Sequence, residues 1–161
     1  MYEKILIPTD GSQDMEIIAE HGVTLATQLG AEIHVLHVVD DRAYASVPKD
    51  ARSQVRETLE ADAEDATKAL ATRALDAELS VTREIRWGNP PASIISHAAE
   101  YDIDLIIMGT HGRTGYDRYL LGSVAEKVVR AAPVPVLTVN VGDEPADSLP
   151  ESILSETDMT N

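Results

Sequence analysis

Five short apolar runs alternate along the chain with four segments of helical spacing. The runs are Lys4-Ile-Leu-Ile-Pro8, Ala31 to Val39, Ser80 to Trp87, Asp104-Leu-Ile-Ile-Met108 and Val134-Pro-Val-Leu-Thr-Val139. Strands joined by helix-length crossovers lie parallel, and such a sheet needs helices on both faces to bury it. The first helical segment opens after Thr9-Asp10-Gly11-Ser12, carries Ile18, Ala19, Gly22, Leu25, Ala26 and Leu29, and stops at Gly30. Asp40 to Pro48 has no period and reads as a loop. The second helix runs from about Lys49 to Glu78, with Val55, Leu59, Ala63, Ala66, Leu70 and Ala74 in one narrow stripe. Asn89-Pro90 is an N-cap and first-turn pair for a third helix with Ile94, Ile95, Ala98 and Ala99, and Val124 to Ala132 is the fourth.

Within the second run, Ile33, Val35 and His37 share one face while His34, Leu36 and Val38 share the other. At a spacing of three, His34 and His37 oppose one another and do not form a metal pair. The third run alternates as a less buried strand does, and Pro135 puts the fifth at an edge. The most continuous runs, the first and the fourth, belong at the centre. The expectation is an open five-stranded parallel sheet, Rossmann-like, with helices on both faces and strand order 3-2-1-4-5. Its switch point lies between strands one and four at their carboxyl ends, the usual ligand position in such sheets. Thr9, Asp10 and Gly11 then meet Gly109 and Gly112, about a hundred residues away in sequence.

The fourth run leads into Gly109-Thr-His-Gly112, and Gly122-Ser123 follows, with Arg113, Gly115 and Arg118 between. Strand, glycine loop and helix in that order point backbone N–H groups and a helix N-terminus at an anion. Ser123 and Glu126 form a capping-box pattern at the start of the helix. The loop has no lysine and is not a Walker A site. Each residue also has an ordinary reading: the glycines as turn punctuation, the arginines and His111 as solvated surface, Asp10 as a helix cap, Val38 as core, Asp40 and Asp41 as solvent-facing acids.

Charge narrows the partners. Twenty-eight acids against thirteen bases give −15, and the tail from Gly142 to Asn161 has six acids and no base, leaving the body at −9. Such a surface disfavours nucleic acid and anionic membranes, whose binding rests on Lys and Arg. It suits concentrated salt, where the Debye length falls to about 3 Å at 1 M, so a halophilic source is expected. With no Phe and one Trp, the core must be aliphatic; with no Cys, disulfides and thiolate chemistry are excluded. The amino terminus, broken at Pro8, does not read as a signal peptide and no run approaches a membrane span, so a cytoplasmic location is expected. The expected organisation is one domain over 1–141 and an acidic, disordered tail over 142–161.

From Tyr2 to about Val141 the sequence resembles the universal stress proteins of the ATP-binding subgroup. The likeness rests on Ile5-Leu-Ile-Pro-Thr-Asp-Gly-Ser12, on Val35-Leu-His-Val-Val39, on Gly88-Asn-Pro90 and above all on Gly109-x-x-Gly112-x9-Gly122-Ser123. The resemblance implies an adenine nucleotide in the crevice, with Asp10 on the ribose hydroxyls and Val38 offering backbone groups to adenine. Pro8, Thr9 and Met108 would border base and sugar, and Gly109, His111, Gly112, Arg113, Gly122, Ser123 and Val124 would surround the phosphates. Mg²⁺ would arrive with ATP rather than on dedicated ligands. The resemblance also implies a homodimer through the strand Val134 to Val139 and a role as a nucleotide-dependent stress-response or regulatory factor. Without a P-loop lysine, slow hydrolysis is the most expected of it. The alternatives are a weak ATPase or phosphotransfer enzyme and a nucleotide-free dimeric interaction module.

Overall fold

Three consecutive residues of the first strand, Ile5, Leu6 and Ile7, are wholly buried, as only a central strand covered on both faces allows. The computed structural model describes residues 1–111 and 121–141. Its elements are β1 (Lys4–Pro8), α1 (Met15–Leu29), β2 (Glu32–Asp40), α2 (Asp41–Ala45), α3 (Arg52–Asp76), β3 (Val81–Gly88), α4 (Pro90–Glu100), β4 (Leu105–Gly109), α5 (Ser123–Ala131) and β5 (Val136–Val139). All four strand pairings are parallel, and the order is β3-β2-β1-β4-β5. The expected topology is therefore the observed one, with β1 and β4 adjacent and β5 at an edge.

The period of two divides the core. Ile5, Ile7, Ile33, Val35 and Ile107 pack with Ile18, Ala26, Leu70 and Ala74 under α1 and α3. Leu6, Leu36, Ile106 and Met108 pack with Ile94, Ala98, Ala125 and Val128 under α4 and α5. Burying each large aliphatic side chain contributes about 1.5–3 kcal/mol. On α3 the buried set is Ala63, Thr67, Leu70, Ala71 and Ala74, while Val55 and Leu59 are half-buried.

Local signals fix several boundaries. Gly30 ends α1 in the left-handed region at φ 66°, and the Asn89 side chain accepts the Ala92 N–H at 3.1 Å to cap α4. Most ends shift by one to three residues, β5 beginning at Val136 rather than Val134, and two local readings differ in kind. Asp40 to Pro48 contains a short helix, α2, whose Asp40 cap accepts the Arg42 N–H; five residues are too few to display a period. Ser123 is the first residue of α5 rather than its cap, because the Gly122 carbonyl already accepts the Glu126 N–H at 2.9 Å. Among the described residues no helix is long and apolar enough to cross a membrane. The tail beyond Val141 and the loop residues Gly112, Arg113, Gly115 and Arg118 lie outside the described residues.

Candidate functional site

β1 and β4 end side by side while β2 runs on to Asp40, and the chain leaves β1 and β4 toward opposite faces of the sheet, which opens a crevice at their carboxyl edge. The crevice holds a cavity of about 600 Å³. Ten of the twelve residues expected at a site line it: Pro8, Thr9 and Asp10 after β1, Val38 on β2, Met108, Gly109 and His111 at the end of β4, and Gly122, Ser123 and Val124 at the start of α5. Gly112 and Arg113 are outside the described residues.

Backbone bonds hold these segments in place. The Thr9 N–H donates to the Leu36 carbonyl at 2.8 Å, extending the β1–β2 ladder past Pro8. His37 Nδ1 lies 2.8 Å from the Thr9 carbonyl oxygen, which can only accept, so Nδ1 carries the proton. Asp10 is not a helix cap: its Oδ1 accepts the Ser12 N–H at 2.9 Å, folding a tight turn well before α1 begins at Met15. On the other side, the Thr110 N–H donates to the Val139 carbonyl and the Gly122 N–H to the Thr110 carbonyl, at 3.0 and 2.6 Å. These bonds bring the start of α5 against the end of β4.

Since the first intrahelical bond of α5 comes from Glu126, the amides of Ser123, Val124 and Ala125 form an open first turn beside the cavity. Their partial positive charge suits an anion. Gly109 is required by close approach: a Cβ there would come within 2.7 Å of Ile18 Cδ1 and 3.3 Å of the His111 carbonyl oxygen. Thr110 Oγ1 and His111 Nδ1 are 2.9 Å apart, which orients the imidazole at the cavity mouth.

The cavity is also lined by residues the sequence did not single out as a site: Met15 and Ile18 of α1, Leu36 and His37 of β2, and Pro90 and Ile94 of α4. The signal for α4 was present, since Asn89-Pro90 directly after a strand places a helix start on the carboxyl edge. Asp40 lines the cavity too, and its carboxylate accepts from Arg42 N–H, Nε and Nη2 at 3.0, 3.2 and 3.0 Å. The Arg42 side-chain bonds hold the Asp40 carboxyl below its ordinary pKa.

A second cavity of similar size lies between α1 and α3 on the opposite face. Glu16, Asp62 and Asp65 outnumber Arg73 in its lining, and it has no open helix first turn like that of α5, so the carboxyl-edge crevice is the better anion site. No cluster of three or more His, Cys, Asp or Glu able to hold a metal occurs among the described residues.

Comparison with known proteins agrees with this architecture. Residues 1–140 match the profile of the universal stress protein family. A universal stress protein of Methanocaldococcus jannaschii, MJ0531, is 36% identical over 140 residues, covering 86% of this chain and 82% of that protein. The solved structure of MJ0577, a hypothetical protein from the same organism, superposes with a TM-score of 0.82 at 33% identity, over 89% of this chain and 99% of that one. A universal stress protein from Archaeoglobus fulgidus, solved in complex with dAMP, shares the fold at a TM-score of 0.64 and 19% identity, covering 85% and 97% of the two chains.

Proposed function

The chain belongs to the universal stress protein family, and from that premise we propose that its carboxyl-edge crevice binds an adenine nucleotide, ATP in the first place, and acts as a nucleotide-dependent stress-response factor. One observation carries the reading: Asp10, Val38, Gly109, His111 and the open first turn of α5 converge on a single cavity of about 600 Å³. A carboxylate at one end can accept from ribose hydroxyls. Backbone amides at the other can donate to phosphate. Apolar Met15, Ile18, Val38, Ile94 and Met108 between them suit a flat base. The dAMP complex of the Archaeoglobus relative supports the same chemistry by analogy of fold.

In this reading Pro8, Thr9 and Met108 border base and sugar, and Gly109, His111, Gly122, Ser123 and Val124 surround the phosphates, together with Gly112 and Arg113. Mg²⁺ bound to the nucleotide would neutralise phosphate charge, and it enters on the phosphates because, among the described residues, the crevice offers carboxylates singly rather than as a cage. The loop from Gly109 to Ser123 carries His111, Arg113 and Arg118 but no lysine, so it lacks the P-loop cation that fast phosphoryl transfer uses. Slow hydrolysis is the most the site is built for.

The same proposal includes a cytoplasmic homodimer paired through β5, in a domain spanning 1–141. β5 is a four-residue edge strand with Leu137 42% exposed, and an apolar edge of this kind needs a cover. A thermal-shift series in roughly molar salt with Mg²⁺ tests the ligand, since saturation at about 100 times Kd adds ~2.7 kcal/mol. ATP is expected to raise Tm more than GTP. Equal shifts for both, or none on folded protein, would overturn the reading.

A further inference from the structure

His37 lines the crevice at the point where the ladder between β1 and β2 stops. Along β2 the backbone groups turn alternately to the two neighbouring strands. The Ile33 N–H donates to the Ser80 carbonyl on the β3 side at 2.9 Å, and the Leu36 carbonyl accepts the Thr9 N–H on the β1 side at 2.8 Å. Val38, two residues beyond Leu36, therefore turns its own N–H and carbonyl to the β1 side. β1 ends at Pro8, level with Leu36, so no residue of that strand lies opposite Val38. Val38 lines the cavity, and its backbone groups face it from beyond the end of β1.

One atom is placed to close that opening. In a regular parallel ladder, the rung after the one from the Thr9 N–H to the Leu36 carbonyl runs from the Val38 N–H to the Thr9 carbonyl. That rung is absent among the described residues. The Thr9 carbonyl oxygen lies 2.8 Å from His37 Nδ1 and accepts its proton instead. Thr9 is buried, and a buried carbonyl needs a donor, so the side chain supplies what the neighbouring backbone would otherwise give. Beyond Thr9 the chain does not run on as a strand. Thr9 Oγ1 accepts the Gly11 N–H at 3.2 Å, Asp10 Oδ1 accepts the Ser12 N–H at 2.9 Å, and Gly11 takes φ 75°.

On the reading of the crevice as an adenine-nucleotide site, we propose that His37 is a positioning residue: its imidazole takes the Thr9 carbonyl in place of the Val38 N–H, and so keeps the Val38 backbone open to the edge of the base. Adenine carries an amino donor beside ring-nitrogen acceptors, and a strand residue with both its N–H and its carbonyl unspent can meet both kinds of group. The imidazole acts through Thr9 and Val38 rather than on the ligand. Without it, the Val38 N–H is the next donor in the ladder for the Thr9 carbonyl. Closing that rung would lengthen the β1–β2 ladder by one step and remove a donor from the base end of the cavity. The phosphate end, at the first turn of α5, would be untouched.

Three measurements on the full chain test this. Imidazole ¹⁵N spectra of the wild type at about pH 8, where histidine is neutral, are expected to show His37 as the Nδ1–H tautomer; the Nε2–H tautomer would overturn the proposal. Amide hydrogen exchange without ligand compares wild type with His37→Leu and with His37→Asn, whose side-chain N–H can stand where Nδ1 does. The Val38 amide is expected to slow by about tenfold or more in His37→Leu, as it enters the ladder, and to keep its wild-type rate in His37→Asn. Equal rates in all three proteins overturn the role of His37. Titration then separates base from phosphate. ATP is expected to bind His37→Leu about three- to tenfold more weakly than wild type, with inorganic triphosphate binding both alike and His37→Asn restoring ATP affinity. Equal losses for the two ligands, or no loss for ATP, overturn the positioning role. A wild type that binds ATP no more tightly than triphosphate would overturn the adenine reading itself, and the exchange rates would still decide whether His37 guards the Val38 amide.

Discussion

Ile94 and His97 are one turn apart on α4, yet they belong to regions built on opposite rules. At the crevice, polar capacity is left unspent: the first-turn amides of α5 precede any intrahelical bond, and Asp10 keeps one carboxylate oxygen outside its turn. At His34 of β2 and His97 of α4, whose facing nitrogens lie 3.1 Å apart, polar groups are sealed between sheet and helix, with the outer nitrogens turned to Glu32 and Glu84. The same face of the same sheet does both. Water and ligand can reach the carboxyl edge, so unpaired donors there cost little. Deeper in the layer an unpaired group costs about 1–3 kcal/mol. A binding site is thus kept at the rim, and paired polar groups in the interior.

Shared support gives the largest expected effect. Ile106 is wholly buried on β4 between α4 and α5, beneath both regions. Ile106→Ala should cost about 2–5 kcal/mol in urea unfolding. A loss confined to ligand affinity, with stability intact, would mean the two regions do not share a base. Asp10→Ala should act on the crevice alone. Losing a hydrogen bond to a charged group is worth about 1.5–3 kcal/mol, so titration calorimetry should find ATP bound roughly ten- to a hundredfold more weakly with little change in Tm.

Asn89→Ala removes the cap of α4, the element common to both regions, and should lower stability by about 1 kcal/mol in the same urea assay. The smallest effect is expected from Arg42→Ala. Arg42 is largely exposed, and unfolding curves should coincide with wild type. The Asp40 carboxyl, however, should titrate higher by carbon NMR once the Arg42 bonds are gone. An Asp40 value that does not rise would mean the ion pair is absent in solution.

The sheet was legible because a period of two, a period of 3.6 and turn residues all agreed on it. Lys4–Pro8 and Leu105–Gly109 stood out as central because no polar side chain interrupts their apolar middle. Most of the crevice was legible for a related reason: topology brings strand ends together, and the glycines and caps at those ends are local signals. What escaped was either too short or too distant. α2 has five residues and no room for a period. Ser123-x-x-Glu126 looked like a capping box, but the tertiary bond from Gly122 N–H to the Thr110 carbonyl brings Gly122 into the cap position. His34 and His97 are 63 residues apart, and nothing local in either segment announces a partner in the other.

Amide chemical-shift mapping during addition of ATP and Mg²⁺ in roughly molar salt separates the crevice from everything else in one spectrum series. The largest shifts are expected at Thr9, Asp10, Val38, His111, Ser123 and Val124, with Glu32, His34 and Tyr101 nearly still. Shifts centred instead on Glu16, Asp62 and Asp65 of the opposite face, or none on a folded protein, would contradict a nucleotide site at the carboxyl edge.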